Sequence, residues 1–500
     1  MTHEGKDKKT QLFTLFPVMQ QNGRVVYYAS DFSEKFGGSV YKGFPCILKA
    51  ESSDLKPRHI TKEELVLDES KPVSIKLYDE KQHPSAFQHY ASEKAVLKIE
   101  GKDVLIMDFI DGFHIYPDLR DNPELNQFTF LQAVEVAWQF VLKLNHLHYN
   151  NTSGPPIVHG DITGMNIKIK MNVIEDSKGK KYALEASYLD LDYAKPITDI
   201  PQKPQGTPEH IALEILNGDY SESSDFFALS PLLLSIFGAQ NPFKKIIEFR
   251  NKHPHMKPAE LVRTFRTFSF CADGLFDHFK EKPNDFICGL IKKFILQMGE
   301  NNKTDRPTPN AILEFFTALR QLTLLDTFNE SSEEKDWYVL RLCIAAKDEH
   351  YLFNKTYLSI FFNMEENLQE RLINLMSPSQ CILLYDAAKI NKGPCSLLHL
   401  LRKNIAVHLM QQIPSLKAST WPRSLFSPSI TAQDILWLIT CFDQNNSSLF
   451  YSVEHENTRK SLLNCREKKW GPFISVLAEG FKRPTGCPYF VSHLSTSPRM

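Results

Sequence analysis

Residues 157–168 read IVHGDITGMNIK, and this string constrains the chain more than any other. An apolar pair and a histidine precede Asp161, Asn166 follows five residues later, and the string ends in the apolar start of a strand. A carboxylate and an amide oxygen at this spacing suit phosphoryl transfer. The first accepts the proton of an attacking hydroxyl, and the second holds a metal against nucleotide phosphates. Alone, the pattern is shared with ordinary turns, so its weight comes from the segments C-terminal to it and their order.

Residues 188–196 read YLDLDYAKP, residues 206–216 GTPEHIALEIL, residues 223–238 SSDFFALSPLLLSIFG and residues 305–308 DRPT. In that order, these segments resemble the C-terminal lobe of eukaryotic-type, serine/threonine-like protein kinases. The resemblance implies that Asp161 is the catalytic base, that Asn166 is a metal ligand, and that Asp192, opening D-Y-A where the family has D-F-G, is a second one. It further implies that Glu214 pairs with Arg306 and that Asp225, on a long central helix, braces the catalytic loop. Asp190 stands two residues before Asp192, so on a strand both carboxylates would share a face. Asp190 is then either a second metal-site group or a partly solvated residue at a strand end.

The N-terminal half carries fainter matches. PVSIKLY at 72–78 alternates as a strand does and resembles the family's V-A-I-K, which makes Lys76 the residue that neutralises the α/β-phosphates. The alternatives are a solvated strand lysine at 76, or Lys49, which also ends a short apolar strand. Residues 85–97, SAFQHYASEKAVL, read as a helix in which Glu93 pairs with Lys76, although only 14 residues separate Glu93 from Met107. LIMDFIDG at 105–112 resembles the strand and hinge that grip adenine, with Met107 as gatekeeper and Asp108 and Ile110 on the hinge. FGGSVY at 36–41 keeps only the end of the glycine-rich phosphate loop, so Gly37, Gly38 and Val40 either cover the phosphates or form a plain hairpin turn.

Three departures from the family bear on mechanism. Gly160 replaces the arginine that binds an activation-loop phosphate, which removes the local need for such a phosphate. Thr163 replaces a lysine near the γ-phosphate, and Ala194 stands at the glycine of D-F-G. None of them deletes the base or a metal ligand.

The rest of the chain bounds the architecture. A formal net charge of −1 with no basic stripe gives no reason to expect nucleic acid or a membrane surface as partner. Nine cysteines without a C-x-x-C pair suit free thiols in a reducing compartment. The longest apolar run, near 226–239, is too short to span a bilayer. The expected fold is α+β: a small β-rich lobe at 11–112 with a charged insertion near 51–70, a helical lobe at 113–325, an acidic linker at 326–336 and an all-helical unit at 337–500. Two segments of that unit, 379–401 and 432–453, share a pattern at an offset of about 52 residues, as degenerate helical repeats would.

The resemblance therefore implies an ATP- and Mg2+-dependent (or Mn2+-dependent) kinase acting on a protein hydroxyl, Ser/Thr rather than Tyr, in the cytoplasm. The helical C-terminus would dock the substrate. The divergent glycine loop, the H-G-D loop and the appended helical unit resemble effector kinases that intracellular bacteria such as Legionella inject into host cells, which would make a host protein the substrate. Two other functions remain open on the same residues. One is a pseudokinase scaffold; the other is a small-molecule kinase of the aminoglycoside or choline type, against which GTPEHIALE and DRPT argue.

Overall fold

In the computed structural model the described residues are 11–404, apart from 21, 38, 51–55, 79–92, 100, 117–122, 150–156, 177–178, 198–203, 326–331, 349–353, 399 and 402–403. The chain divides into two compact units at Arg320/Gln321.

The first unit opens with nine strands: β1 (Leu12–Met19), β2 (Val25–Ser30), β3 (Lys35–Gly37), β4 (Val40–Leu48), β5 (Arg58–Thr61), β6 (Leu65–Leu67), β7 (Val73–Leu77), β8 (Glu93–Ile99) and β9 (Lys102–Asp108). They form one antiparallel sheet in the order β5-β1-β2-β4-β7-β9-β8, with β3 and β6 added to β4. The charged stretch around 51–70 thus contributes β5 and β6, which pair with β1 and β4. Strand periodicity sorts the side chains of β7. Val73 and Ile75 enter a core with Phe16, Val18, Tyr28, Val104 and Ile106, while Lys76 faces the other side of the sheet.

One expected element is different. Glu93 does not lie on a helix but begins strand β8, opposite Met107 in the register with β9. Residues 93–99 are rich in helix formers, and ladder pairing with β9 overrides that local preference. Residues 85–92 of the expected helix lie outside the described residues.

Helices come next: α1 (Phe130–Tyr149), α2 (Glu222–Ile236), α3 (Lys244–Lys252), α4 (Pro258–Phe265), α5 (Asp285–Met298) and α6 (Pro309–Leu324). Two short strands, β10 (Ile157–Val158) and β13 (Lys195–Pro196), pair with each other, and β11 (Ile167–Asp176) and β12 (Gly179–Tyr188) form a long hairpin. That hairpin has ten residues in each arm. α2 is buried from Ser224 to Ile236, so it is a core helix, apolar on most sides. Around it the lobe packs ring against ring, with Phe294 stacked on Phe315 at 3.9 Å.

A strap at 109–116 joins sheet to helices. Phe113 and Ile169 exchange two backbone hydrogen bonds of 3.0 Å, which ties the strap to β11. The close approach is possible because residue 112 is glycine. Its φ is +124°, and a Cβ there would lie 2.5 Å from the Ile169 carbonyl oxygen.

In the second unit the described helices are α7 (Glu333–Ala345), α8 (Lys355–Asn363), α9 (Glu366–Leu375) and α10 (Pro378–Ile390). Residues 333–336, expected as linker, are instead the first turn of α7. The Ser332 hydroxyl accepts from Lys335 N at 3.2 Å, and the acidic residues after it suit the positive end of a helix. Trp337 lies between the guanidinium groups of Arg341 and Arg371, 4.5 and 4.7 Å from its ring. Gln380 ties α10 to α7 by donating to the Ile344 carbonyl at 3.1 Å. The second expected repeat copy, 432–453, lies outside the described residues.

Replacing Gly112 with alanine should destabilise the first unit by about 1–3 kcal/mol, the usual cost of a strained backbone, because the strap must move off β11. Thermal unfolding of G112A against wild type measures this; an unchanged midpoint would contradict the tight approach.

Candidate active site

The loop between β10 and β11 is held from beneath by one carboxylate. Asp225, on α2 and 3% exposed, accepts from His159 N at 2.7 Å and Gly160 N at 3.0 Å. His148 Nε2, at 2.9 Å, completes the set. The His159 ring bonds the Leu189 carbonyl at 3.0 Å, which links the loop to the end of β12. Gly160 has φ +78°, and a Cβ there would meet the Tyr193 carbonyl oxygen at 2.6 Å. The loop therefore excludes any larger residue at 160 on steric grounds as well as conformational ones.

Above this brace lie the residues of the H-G-D loop. Asn166 Nδ2 donates to the Asp161 backbone carbonyl at 2.8 Å and to Asp161 Oδ2 at 2.9 Å. Thr207 donates to Asp161 Oδ1 from its backbone N–H at 2.9 Å and from its hydroxyl at 3.1 Å. Burial pushes the Asp161 carboxyl above its ordinary value, and the Thr207 hydrogen bonds only partly offset this. A raised carboxylate is a better proton acceptor, provided it stays ionised at working pH.

The sheet supplies the opposite wall. Lys76, 6% exposed, donates to Asp190 Oδ1 at 2.8 Å and Asp192 Oδ2 at 2.6 Å. Burial pushes the Lys76 ammonium down, but the two carboxylates outweigh it and hold the pKa above the usual lysine value. Tyr78 donates to Asp192 Oδ1 at 2.8 Å. Lys49 is exposed just past the end of β4.

Asp190 and Asp192 do not sit on a strand. β12 ends at Tyr188, Asp190 adopts a left-handed backbone (φ 57°, ψ 76°) and Leu191–Tyr193 form a 3-10 turn. The Asp190 carboxylate caps that turn by accepting from Asp192 N. A left-handed aspartate is strained, and such strain gathers at functional sites. The turn brings both carboxylates to one point, now taken by the Lys76 ammonium.

The donor chemistry fits a hard cation. Asn166 spends its amide N–H on Asp161, which leaves the amide oxygen as a ligand. The oxygens of Asn166, Asp190 and Asp192 are of the donor type that magnesium takes alongside phosphate oxygens.

The other expected residues lie around this cleft. Gly37 ends β3 opposite Val40, so the glycine segment is the β3–β4 hairpin; Gly38 lies outside the described residues. Met107 and Asp108 close β9, and Ile110 lies on the strap. Glu214 and Arg306 form a bidentate pair, with Nη2 to Oε2 at 2.9 Å, and Arg306 is 5% exposed. Tyr78, His148 and Lys168 also make contacts around the cleft, although the sequence reading gave none of them a role. Tyr78 lies two residues from Lys76, on the same strand face, and period-two logic could have found it. His148, on α1, carries no local signal. Lys168, two residues past Asn166, reads as an ordinary polar position of an alternating strand, yet its ammonium reaches the strap.

No family model matches the chain. Over 143 residues it is 25% identical to the probable serine/threonine-protein kinase zyg-1 of Caenorhabditis elegans, covering 29% of this chain and 18% of that protein. Over 141 residues it is 28% identical to a cAMP-dependent protein kinase catalytic subunit of Arthrobotrys oligospora, covering 28% of this chain and 23% of that protein. The chain thus has distant similarity to serine/threonine protein kinases and spans about a fifth of the length of these relatives. The N-terminal sheet followed by helices is consistent with their two-lobed fold.

Asp225→Ala removes an acceptor from two buried backbone N–H groups and a buried histidine. Each charged hydrogen bond contributes on the order of 1.5–3 kcal/mol, so the variant should lose several kcal/mol and loosen residues 159–161. Urea unfolding together with amide exchange at His159 and Gly160 reads both effects. Unchanged exchange there would show that Asp225 is not the brace.

Proposed function

We propose that this protein is an ATP-dependent protein kinase, and that Asp161 accepts the proton of the acceptor hydroxyl as its oxygen attacks the γ-phosphorus. The bond from that phosphorus to the β–γ bridging oxygen breaks, leaving ADP. Asn166 holds Asp161 in place, and Thr207 fixes one carboxylate oxygen so that the other can meet the hydroxyl. Lys76 serves the α/β-phosphates once it exchanges its carboxylate partners for phosphate oxygens. Asn166, Asp190 and Asp192 would hold Mg2+, or Mn2+, which when bound would supply positive charge to the phosphate oxygens. Most of the acceleration then comes from positioning and charge neutralisation.

One observation carries this reading: Lys76 of the sheet meets Asp190 and Asp192 beside a braced Asp161–Asn166 pair. The finer points rest on the motif resemblance. They are a Ser/Thr acceptor, independence from an activation-loop phosphate through Gly160, a host protein as substrate, lobes at 11–112 and 113–325, and a docking role for 337–500. Glu93, now on β8, stays a candidate partner of Lys76 only through that resemblance. Among the described residues no helix is long and apolar enough to cross a membrane.

Transfer of labelled phosphate from Mg-ATP to a generic protein substrate is the direct test. Asp161→Asn should lower kcat by about 10²–10⁴-fold, the usual worth of a general base, while nucleotide binding persists. Asp190→Ala and Asp192→Ala should each abolish most metal-dependent transfer, because both carboxylates reach the same point. Lys49→Met should leave activity intact where Lys76→Met does not. Nucleotide binding with no transfer under any condition would favour a pseudokinase scaffold.

The raised Asp161 pKa gives a pH test. Its base form is lost as pH falls through a value above the ordinary aspartate range of about 3.9. The acid limb of the kcat profile should therefore lie above that value. A limb at or below it would remove Asp161 from the role.

A further inference from the structure

Lys168 has no part in the proposed phosphoryl transfer, and its position is unusual. It lies on β11 two residues past Asn166, and its ammonium donates to the Ile110 carbonyl at 2.8 Å. The same nitrogen stands 5.1 Å from the Phe109 ring centroid, and Phe109 in turn packs on Phe36 of β3 at 4.9 Å. The paired hydrogen bonds between Phe113 and Ile169 fix the register of β11 against the strap, so this contact does not depend on a wandering side chain.

The motif resemblance of residues 105–112 gives this strap to the nucleotide base, and a role for Lys168 there rests on the proposed kinase reading. A backbone strap reads a purine through its free carbonyls and N–H groups. A free Ile110 carbonyl would accept from an exocyclic amine, but here the lysine satisfies it. An ammonium carries three donors and no acceptor. One donor is spent on Ile110 and the nitrogen lies 5.1 Å from the Phe109 ring centroid, so a base resting beside Phe109 would meet the remaining donors. A 6-amino group set against them leaves donors opposed and desolvated, whereas a 6-oxo group accepts one in a charge-assisted bond.

We infer that Lys168 reads the base, and that the site takes a 6-oxopurine nucleotide, guanine or hypoxanthine, at least as well as adenine. Phe36 and Phe109 supply the apolar surface on which the ring rests. The selectivity comes from the polar edge, because sites built to hydrogen-bond one group discriminate strongly against analogues that cannot.

The test measures binding of Mg-ATP, Mg-GTP and Mg-ITP to the full chain, for wild type, Lys168→Met and Lys168→Gln. Wild type should bind GTP and ITP as tightly as ATP or more tightly. In Lys168→Met both ratios should move toward ATP by about tenfold, the scale of one charged hydrogen bond. Lys168→Gln, which keeps a neutral donor, should fall between and keeps the test open if the methionine variant misfolds. ITP separates the 6-oxo group from the 2-amino group of guanine. Wild type preferring ATP tenfold over both oxopurines, with the same ratio in the variants, overturns the assignment and leaves the kinase reading standing. GTP binding without ITP binding also overturns it, since the 2-amino group would then be what is read. Binding of no nucleotide at all removes the kinase reading and this inference together.

Discussion

The loop between β10 and β11 depends on one buried carboxylate. Asp225 is nearly inaccessible to water, and an ionised group in that position is costly unless its oxygens are hydrogen-bonded. Two successive backbone N–H groups and His148 satisfy it, so the helix that carries Asp225 and the loop that carries Asp161 cannot separate cheaply. Rigidity then passes upward. His159 ties the same loop to Leu189, Leu189 N donates to the Asn166 carbonyl at 2.8 Å, and Asn166 grips Asp161. The Asp161 carboxylate is thus positioned by a chain of contacts rooted in the core of the helical lobe.

A second anchor stabilises residues 207–214. Arg306 and Arg266 both lie over the Phe227 ring, each at 4.7 Å. Arg306 holds Glu214, and Arg266 donates to the Glu209 carbonyl at 2.8 Å. Burial, with the charge of Arg306 adding to it, lowers the Arg266 pKa to about 9. Two guanidiniums stacked near one ring in a dry interior are tolerable because each meets oxygen acceptors. They hold this segment against the lobe, and with it the Thr207 that fixes Asp161.

The loop at 157–166 and the strand that carries Lys76 are legible in the sequence because short-range spacing or strand periodicity places them, whereas the Glu214–Arg306 pair, 92 residues apart, is legible only through the motif resemblance. Residues 157–168 fold into a local loop, and PVSIKLY alternates without ambiguity. The strand at Glu93–Ile99 is not legible, since Glu, Lys, Ala and Leu favour a helix locally and only the ladder with β9 decides otherwise. Gly101, with φ +84°, marks the turn between the two strands and is the available clue. Asp190 misleads for a different reason. A two-residue spacing means a shared face only on a strand, and here the chain turns at a left-handed residue. Lys168 and His148 are hidden because their partners lie 58 and 77 residues away.

The contact between Gly160 and the Tyr193 carbonyl also limits how this site can change. Sequence drift at 160 is blocked on two counts, a left-handed backbone and an oxygen 2.6 Å from any Cβ. An arginine there would have to displace the 3-10 turn that positions Asp190 and Asp192. A lineage starting from this sequence therefore cannot acquire a phosphate-sensing guanidinium at 160 in one step and keep its two aspartates in place. Position 160 and the turn at 191–193 therefore constrain each other, and a side chain at the first requires the second to move.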